Sequence, residues 1–264
     1  MQALIAEEHG VSHEGGRLYA KCWTPAAAHH AKRTPIVLLH DSLGCVALWR
    51  DFPAALAEAT GRMVVAYDRP GFGQSDAQAS PLPLSFIGDE ARGGFQSVVD
   101  HFEFDRFVVF GHSVGGGMAV GCAAAFSDRC DALITESAQA FVEDRTVQGI
   151  RAAQDVFQQP GQIDRLRKYH GDKAEWVLHA WTDTWLADDF ATWSLDATLA
   201  RVTCPNLVIH GDLDEYGSVR HPERMAHLTR GASTLKILEG IGHVPHREQP
   251  ARTLELVKAW LAAI

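Results

Sequence analysis

Residues 107–120, Phe-Val-Val-Phe-Gly-His-Ser-Val-Gly-Gly-Gly-Met-Ala-Val, constrain this chain more than any other stretch. A β-branched and aromatic run stops at Gly111, Ser113 follows, and an apolar segment of helical length continues to Ala125. The pattern predicts a strand, a sharp turn and a helix. Gly111-x-Ser113-x-Gly115 has the spacing of a nucleophile elbow, in which the serine adopts a strained backbone conformation between strand and helix. Side chains beside so tight a turn would collide, so glycine is needed on both sides of the serine. The hydroxyl then projects above the sheet. The Val114 amide, at the helix N-terminus, points at any oxyanion that forms beside it.

The stretches around this turn alternate between strand and helix. Leu18–Trp23 reads as an early antiparallel strand ending at Pro25, and 26–34 as a polar loop. Ile36–Leu39 and Met63–Tyr67 are continuous apolar runs of the kind buried on both faces of a parallel sheet. Each is followed by a polar, glycine-bearing turn: His40-Asp41-Ser42-Leu43-Gly44 and Asp68-Arg69-Pro70-Gly71-Phe72-Gly73-Gln74-Ser75. Helical spacing covers Trp49–Thr60, closed by Gly61, and Phe86–Phe102. Further strands are expected at 132–135, 206–210 and 234–238, with a last helix at 250–261. Such alternation predicts a mostly parallel sheet with helices on both faces.

Residues 137–200 break the rhythm with Trp176, Trp181, Trp185 and Trp193 among helical spacings. They are expected to form a helical cap inserted into a core made of residues 1–136 and 201–264. The alternative for these tryptophans is ordinary core packing in a longer crossover. An exposed tryptophan-rich cap would also offer a surface for a homodimer.

Composition narrows the functions available. A net charge of −9 disfavours a nucleic-acid or anionic-membrane partner, which would call for clustered Lys and Arg. No run of about 18 apolar residues suggests a membrane span. Met1–Gly16 lacks the basic-then-apolar order of a secretory leader, so a cytoplasmic location is expected. Five cysteines, Cys22, Cys45, Cys122, Cys130 and Cys204, form no CxxC pair and are expected to be free thiols. The pairs His29-His30 and His243/His246 lack the spacing of a metal site, and neither metal nor cofactor is expected.

A serine hydroxyl is a poor nucleophile until a base lies within hydrogen-bond reach, itself oriented by an acid. In elbow-bearing folds these partners follow later in the chain, acid before histidine, in loops at the carboxyl ends of strands. Gly211-Asp212-Leu213-Asp214-Glu215 and Gly240-Ile241-Gly242-His243-Val244-Pro245-His246 are two such loops. His243, just after a glycine, is the expected base, and His246 is read as a surface residue or the start of a helix. Asp214 is preferred to Asp212 as the acid because it lies far enough past Gly211 to reach over the sheet edge. Asp212 is expected to bond nearby amides. Glu136 is an outside candidate for the acid.

With the two glycine-bearing turns, the elbow and the loops carrying Asp214 and Gly242-His243, the chain from about Leu18 to Leu261 resembles the α/β-hydrolase superfamily. The resemblance implies a mostly parallel sheet flanked by helices, with a helical cap. It also implies acyl transfer to water by Ser113, His243 and Asp214 without a cofactor, with Val114 and Ser42, or else Leu43, supplying oxyanion amides. One position departs from the family. His-Gly is common where this chain has His40-Asp41, while Ser42-Leu43-Gly44 is similar to enol-lactone hydrolases. Cys45 beside it is read as structural. A serine at the elbow disfavours epoxide-hydrolase and haloalkane-dehalogenase chemistry, whose superfamily members carry aspartate there. The expected activity is cleavage of an ester or lactone of a small to medium, partly apolar substrate. Carbon–carbon bond hydrolysis of a diketone shares the same motifs, as do cofactor-free haloperoxidases and thioesterases. A slow-turnover small-molecule sensor is the alternative of another class.

Overall fold

The computed structural model describes residues 4–26 and 33–264, so the His29-His30 pair and most of the loop around it lie outside the described residues. The described chain forms one eight-stranded sheet and eleven α-helices. The elements in chain order are β1 (Leu4–His13), β2 (Gly16–Pro25), β3 (Ile36–Leu39), α1 (Phe52–Thr60), β4 (Val64–Tyr67), α2 (Phe86–Asp89), α3 (Gly94–His101), β5 (Phe107–His112), α4 (Val114–Ala125) and β6 (Cys130–Glu136). Next come α5 (Asp144–Phe157), α6 (Gln162–His170), α7 (Ala174–Trp185), α8 (Asp196–Leu199), β7 (Asn206–Gly211), α9 (Arg220–Leu228), β8 (Ser233–Leu238), α10 (Pro245–Glu248) and α11 (Pro250–Ala263).

The sheet order is β1-β2-β4-β3-β5-β6-β7-β8. β1 and β2 pair antiparallel, β2 meets β4 antiparallel, and every later pairing is parallel. This is the α/β-hydrolase fold, a mostly parallel sheet flanked by helices. β1 was not legible in the sequence, because its side chains are mostly exposed and carry no apolar alternation. The expected helix at Phe86–Phe102 is broken into α2, a short 3-10 turn and α3, with the break at Gly93. The expected helix at Trp49–Thr60 is likewise a 3-10 turn ending at Trp49, followed by α1.

Alternation along the central strands divides the core in two. Val37, Leu39, Val65, Tyr67, Phe107 and Val109 face α3 and α4, while Ile36, Leu38, Val64, Ala66, Val108 and Phe110 face α1 and α11. Between β6 and β7 the chain leaves the sheet for α5 to α8. The tryptophans there point inward: Trp181 and Trp185 are buried and Trp176 and Trp193 half-buried, which corrects the expectation of an exposed tryptophan surface. Among the described residues, no helix is long and apolar enough to cross a membrane.

The parallel register sets out the functional loops. Leu39 pairs with Gly111, and His112 with Glu136, so the loops after β3, β5 and β6 leave the same carboxyl edge side by side. The chain order reverses about β3, since β4 lies on one side of it and β5 on the other. Open α/β sheets bind ligands in the crevice at such a switch point.

The crossing of α4 over β3 is close. A Cβ on Gly115 would lie 2.3 Å from the Leu39 carbonyl oxygen, and one on Gly111 would lie 2.0 Å from the Gly115 oxygen. The obstacles are backbone atoms that cannot swing aside. Gly115→Ala is therefore expected to lose about 1–3 kcal/mol of stability, a drop in Tm of roughly 3–10 °C by calorimetry. Gly88→Ala, where an added methyl meets nothing within 4 Å, is the control that leaves Tm in place. Equal behaviour of the two would refute the crowding argument.

Candidate active site

Ser113 sits at the turn between β5 and α4 with φ 55° and ψ −125°, a region a non-glycine residue enters at a cost of order 1–3 kcal/mol. Two backbone bonds hold it there. Its amide donates to the Glu136 carbonyl oxygen at 2.9 Å, and its carbonyl accepts from the Gly116 amide at 2.8 Å. Ser113 is 6% exposed, and its Oγ lies 3.0 Å from His243 Nε2.

His243 reaches the serine from the loop after β8, and Asp214 reaches the far side of the ring from the loop after β7. His243 Nδ1 lies 2.9 Å from both carboxylate oxygens of Asp214. One of these oxygens also accepts the amides of Tyr216 and Gly217, at 2.8 and 3.2 Å. Asp214 is fully buried. Burial alone would raise its pKa, but the His243 ring opposite it holds it below the usual carboxylate range. For His243 burial acts downward, and the Asp214 carboxylate overrides it to hold the imidazole above its ordinary value. The Nδ1 proton is thereby tied to Asp214, and Nε2 is turned to the serine.

The remaining candidates fall into separate roles. Asp212 does not meet His243; its carboxylate accepts the Gly240 amide at 2.7 Å and shapes the loop, as expected. Glu136 also does not meet His243. It pairs with His246, accepting from Nδ1 at 2.5 Å and from the backbone amide at 2.7 Å. His246 does stand at the start of α10, but it is 4% exposed, which corrects its reading as a surface residue. Sequence spacing could not show this, because Glu136 and His246 are brought together only by the sheet order. His112, which sequence reasoning passed over, lies between the two pairs. Burial, with His246 beside it, pushes its pKa down to about 4, and Nε2 of the neutral ring donates to the His243 carbonyl at 2.9 Å. His112, Glu136 and His246 come close enough to share an ion, but each is engaged in these bonds. Cys45 is buried and its thiol pKa is pushed up to about 12 by burial, consistent with an inert role.

The loop after β3 is braced where the family's glycine is missing. His40 Nε2 accepts the Arg69 amide at 3.1 Å, which leaves the ring proton on Nδ1 to donate to the Asp41 carbonyl at 2.8 Å. The Arg69 guanidinium donates to the same oxygen at 2.9 Å, and the Gly44 amide at 3.2 Å. Across a planar trans peptide the Ser42 N–H lies antiparallel to that carbonyl, so it faces away from Arg69. Among the described residues, neither the Ser42, the Leu43 nor the Val114 amide has a hydrogen-bond acceptor.

Ser113 and His243 open onto a cavity of about 100 Å³ walled by Ser42, Ile150, Trp181 and Trp185. The last three come from α5 and α7, so helices between β6 and β7 form part of the wall beside the serine. A larger cavity, about 300 Å³, lies by Arg17, Arg69 and Glu90 and touches none of Ser113, Asp214 or His243. The chemistry therefore belongs to the smaller one.

A family model described as alpha/beta hydrolase fold matches residues 34–250. An uncharacterized protein of Mycobacterium tuberculosis is 25% identical over 263 residues, spanning 86% of this chain and 74% of its own length. Among solved structures, a membrane phospholipase A described as a bacterial virulence factor superposes with a TM-score of 0.77 at 22% identity, covering 98% of this chain and 86% of its own. A serine hydrolase involved in carbazole degradation gives a TM-score of 0.75 at 19% identity, over 98% of this chain and all of its own.

The electrostatics of the His243–Asp214 pair can be read directly. NMR titration of the His243 imidazole is expected to give a midpoint above 6.5 in the wild type. In Asp214→Asn the strongest influence raising it is gone, leaving burial against the weaker pull of the Glu215 and Asp41 carboxylates, so the midpoint should fall relative to the wild type. An unchanged midpoint would mean that Asp214 does not set the protonation of the ring.

Proposed function

The chain belongs to the alpha/beta hydrolase fold family, and on that premise we propose that it is a serine hydrolase that cleaves a carboxylic ester or lactone through an acyl-enzyme. The observation that carries this reading is the unbroken chain from Ser113 Oγ to His243 Nε2, 3.0 Å, and from His243 Nδ1 to Asp214, 2.9 Å, at the floor of a cavity.

The steps follow from the geometry. Ser113 Oγ attacks the substrate carbonyl carbon as its proton passes to His243 Nε2. The imidazolium that forms is stabilised by the buried Asp214 carboxylate, which remains ionised. The carbonyl electron pair moves onto oxygen, where the amides of Val114 and Ser42 receive it. Each such donor contributes about 10²- to 10³-fold in rate. Collapse of the tetrahedral intermediate breaks the bond to the alkoxy group, which leaves with the proton from His243. Water then attacks the acyl-enzyme by the same route, with His243 again as base, and releases the acid. The strained serine turn supports this reading, because backbone strain of this kind persists where a fixed side-chain position is needed. Arg69 and His40 have a place in it as braces: by holding the Asp41 carbonyl they fix the orientation of the Ser42 N–H.

The test is hydrolysis of p-nitrophenyl acetate, butyrate and octanoate. Ser113→Ala and His243→Ala are expected to lower kcat by about 10⁴-fold or more, and Asp214→Asn by a similar factor, while Asp212→Asn stays within a few-fold. The base must be neutral to accept a proton, and its folded pKa is raised. Activity should therefore rise with pH through a midpoint above 6.5 and be lost below it. Turnover that survives Ser113→Ala would refute the proposal, and reversed effects of the two aspartates would refute the acid assignment.

A further inference from the structure

Gln139 lies in the segment between β6 and α5, is 4% exposed, and lines the cavity that holds Ser113 and His243. Among the described residues, its side-chain amide has no hydrogen-bond partner, although an amide carries two donors and two acceptor sites. Its neighbours on the wall are differently placed. The Thr146 hydroxyl is occupied, donating to the Tyr216 carbonyl at 2.7 Å, and Ser42 and Tyr216 belong to half-buried residues that water reaches. Ile150, Trp181 and Trp185 are apolar surfaces. An amide on the cavity wall with no protein partner is satisfied by what enters the cavity, water or a polar group of a ligand.

Charge and size narrow what enters. No lysine or arginine lines this cavity, so an anionic acyl group finds no such partner on its wall. The volume of about 100 Å³ is smaller than the ~150 Å³ that accommodates benzene, which limits the buried part to a short group.

We propose that Gln139 is a specificity-determining residue, and that the substrate is an ester or lactone with a short, uncharged acyl part bearing a hydroxyl or oxo group for the Gln139 amide. This rests on the ester-hydrolase reading above. A site built to hydrogen-bond such a group disfavours the analogue that lacks it, because the protein amide is then left unpaired against apolar substrate.

The experiment compares kcat/KM for the p-nitrophenyl esters of 3-hydroxybutyrate, butyrate and hemisuccinate. Wild type is expected to favour 3-hydroxybutyrate over butyrate by at least about fivefold and to turn over hemisuccinate most slowly. Gln139→Leu should abolish or invert the hydroxyl preference. Gln139→Met, which keeps the length of the side chain and loses the amide, carries the same expectation should the leucine variant not fold. Calorimetric binding of 3-hydroxybutyramide against butyramide to wild type and variant reads the same discrimination without turnover. Ester hydrolysis with no hydroxyl preference in wild type, or with one that Gln139→Leu and Gln139→Met leave intact, would overturn the assignment. Absence of Ser113-dependent hydrolysis of all three esters would instead count against the ester-hydrolase reading. The amide-binding ratio would still decide the role of Gln139.

Discussion

The close passage of α4 over the end of β3 is the constraint on which the site depends. Gly115 has the Leu39 carbonyl 2.3 Å from where its Cβ would be, Gly111 has the Gly115 carbonyl at 2.0 Å, and Gly116 has the Ala138 methyl at 2.4 Å. Three contacts of this kind let the helix start within backbone distance of two neighbouring strand ends. The requirement at these glycines is space, since none of the three has a positive φ. The positive φ belongs to Ser113, which bears the strain because its neighbours leave it one conformation. Any residue larger than glycine at position 115 would push α4 outward and carry the Val114 amide with it.

From that point the parallel register does the rest of the placement. Neighbouring strands end at nearly the same height, so a loop of a few residues after β7 or β8 is enough to bring a side chain to the serine. Two buried carboxylates along this edge each pair with a buried histidine, Asp214 with His243 and Glu136 with His246. Both carboxylates are held below the usual range against the opposing effect of burial, Asp214 by His243 and Glu136 by His246. The second pair ties the end of β6 to the start of α10, a few residues beyond His243. His112 closes the gap with its bond to the His243 carbonyl. The loop that carries His243 is therefore fixed by buried hydrogen bonds on both sides of the ring it presents.

The sequence made the strand–turn–helix at Ser113 legible because the signal is local: an apolar run, a crowded turn and a helix of small residues within 20 positions. The loops of Asp214 and His243 were legible for a related reason, each being a glycine-bearing turn just after an apolar strand. What escaped was of two kinds. β1 is an edge strand with one buried residue, Val11, and leaves no apolar pattern to detect. Arg69, His112, Glu136 and His246 act through partners up to 131 positions away, and a buried charge reads in sequence like an exposed one. Gln139 had no signal at all, since only the enclosure of its side chain distinguishes it from any loop glutamine.

The replacement of glycine by aspartate after His40 shows how a local departure is absorbed. In the hydrolase proposed above, an aspartate side chain next to the Ser42 amide would add negative charge where the oxyanion forms, which would raise the barrier to attack on a carbonyl. Here the Asp41 carboxylate is turned back, with one oxygen over Gly44, where an added Cβ would meet it at 2.1 Å, and the other 3.7 Å from His112. Its own carbonyl is meanwhile bonded to Arg69, a buried cation. The positive guanidinium polarises the Asp41–Ser42 peptide in the sense that strengthens the Ser42 N–H as a donor, and it offsets the carboxylate charge nearby. Gly44 and Arg69 thus form with Asp41 a single unit. Glycine at 44 gives the carboxylate room to fold away, and arginine at 69 holds the peptide that presents the Ser42 N–H.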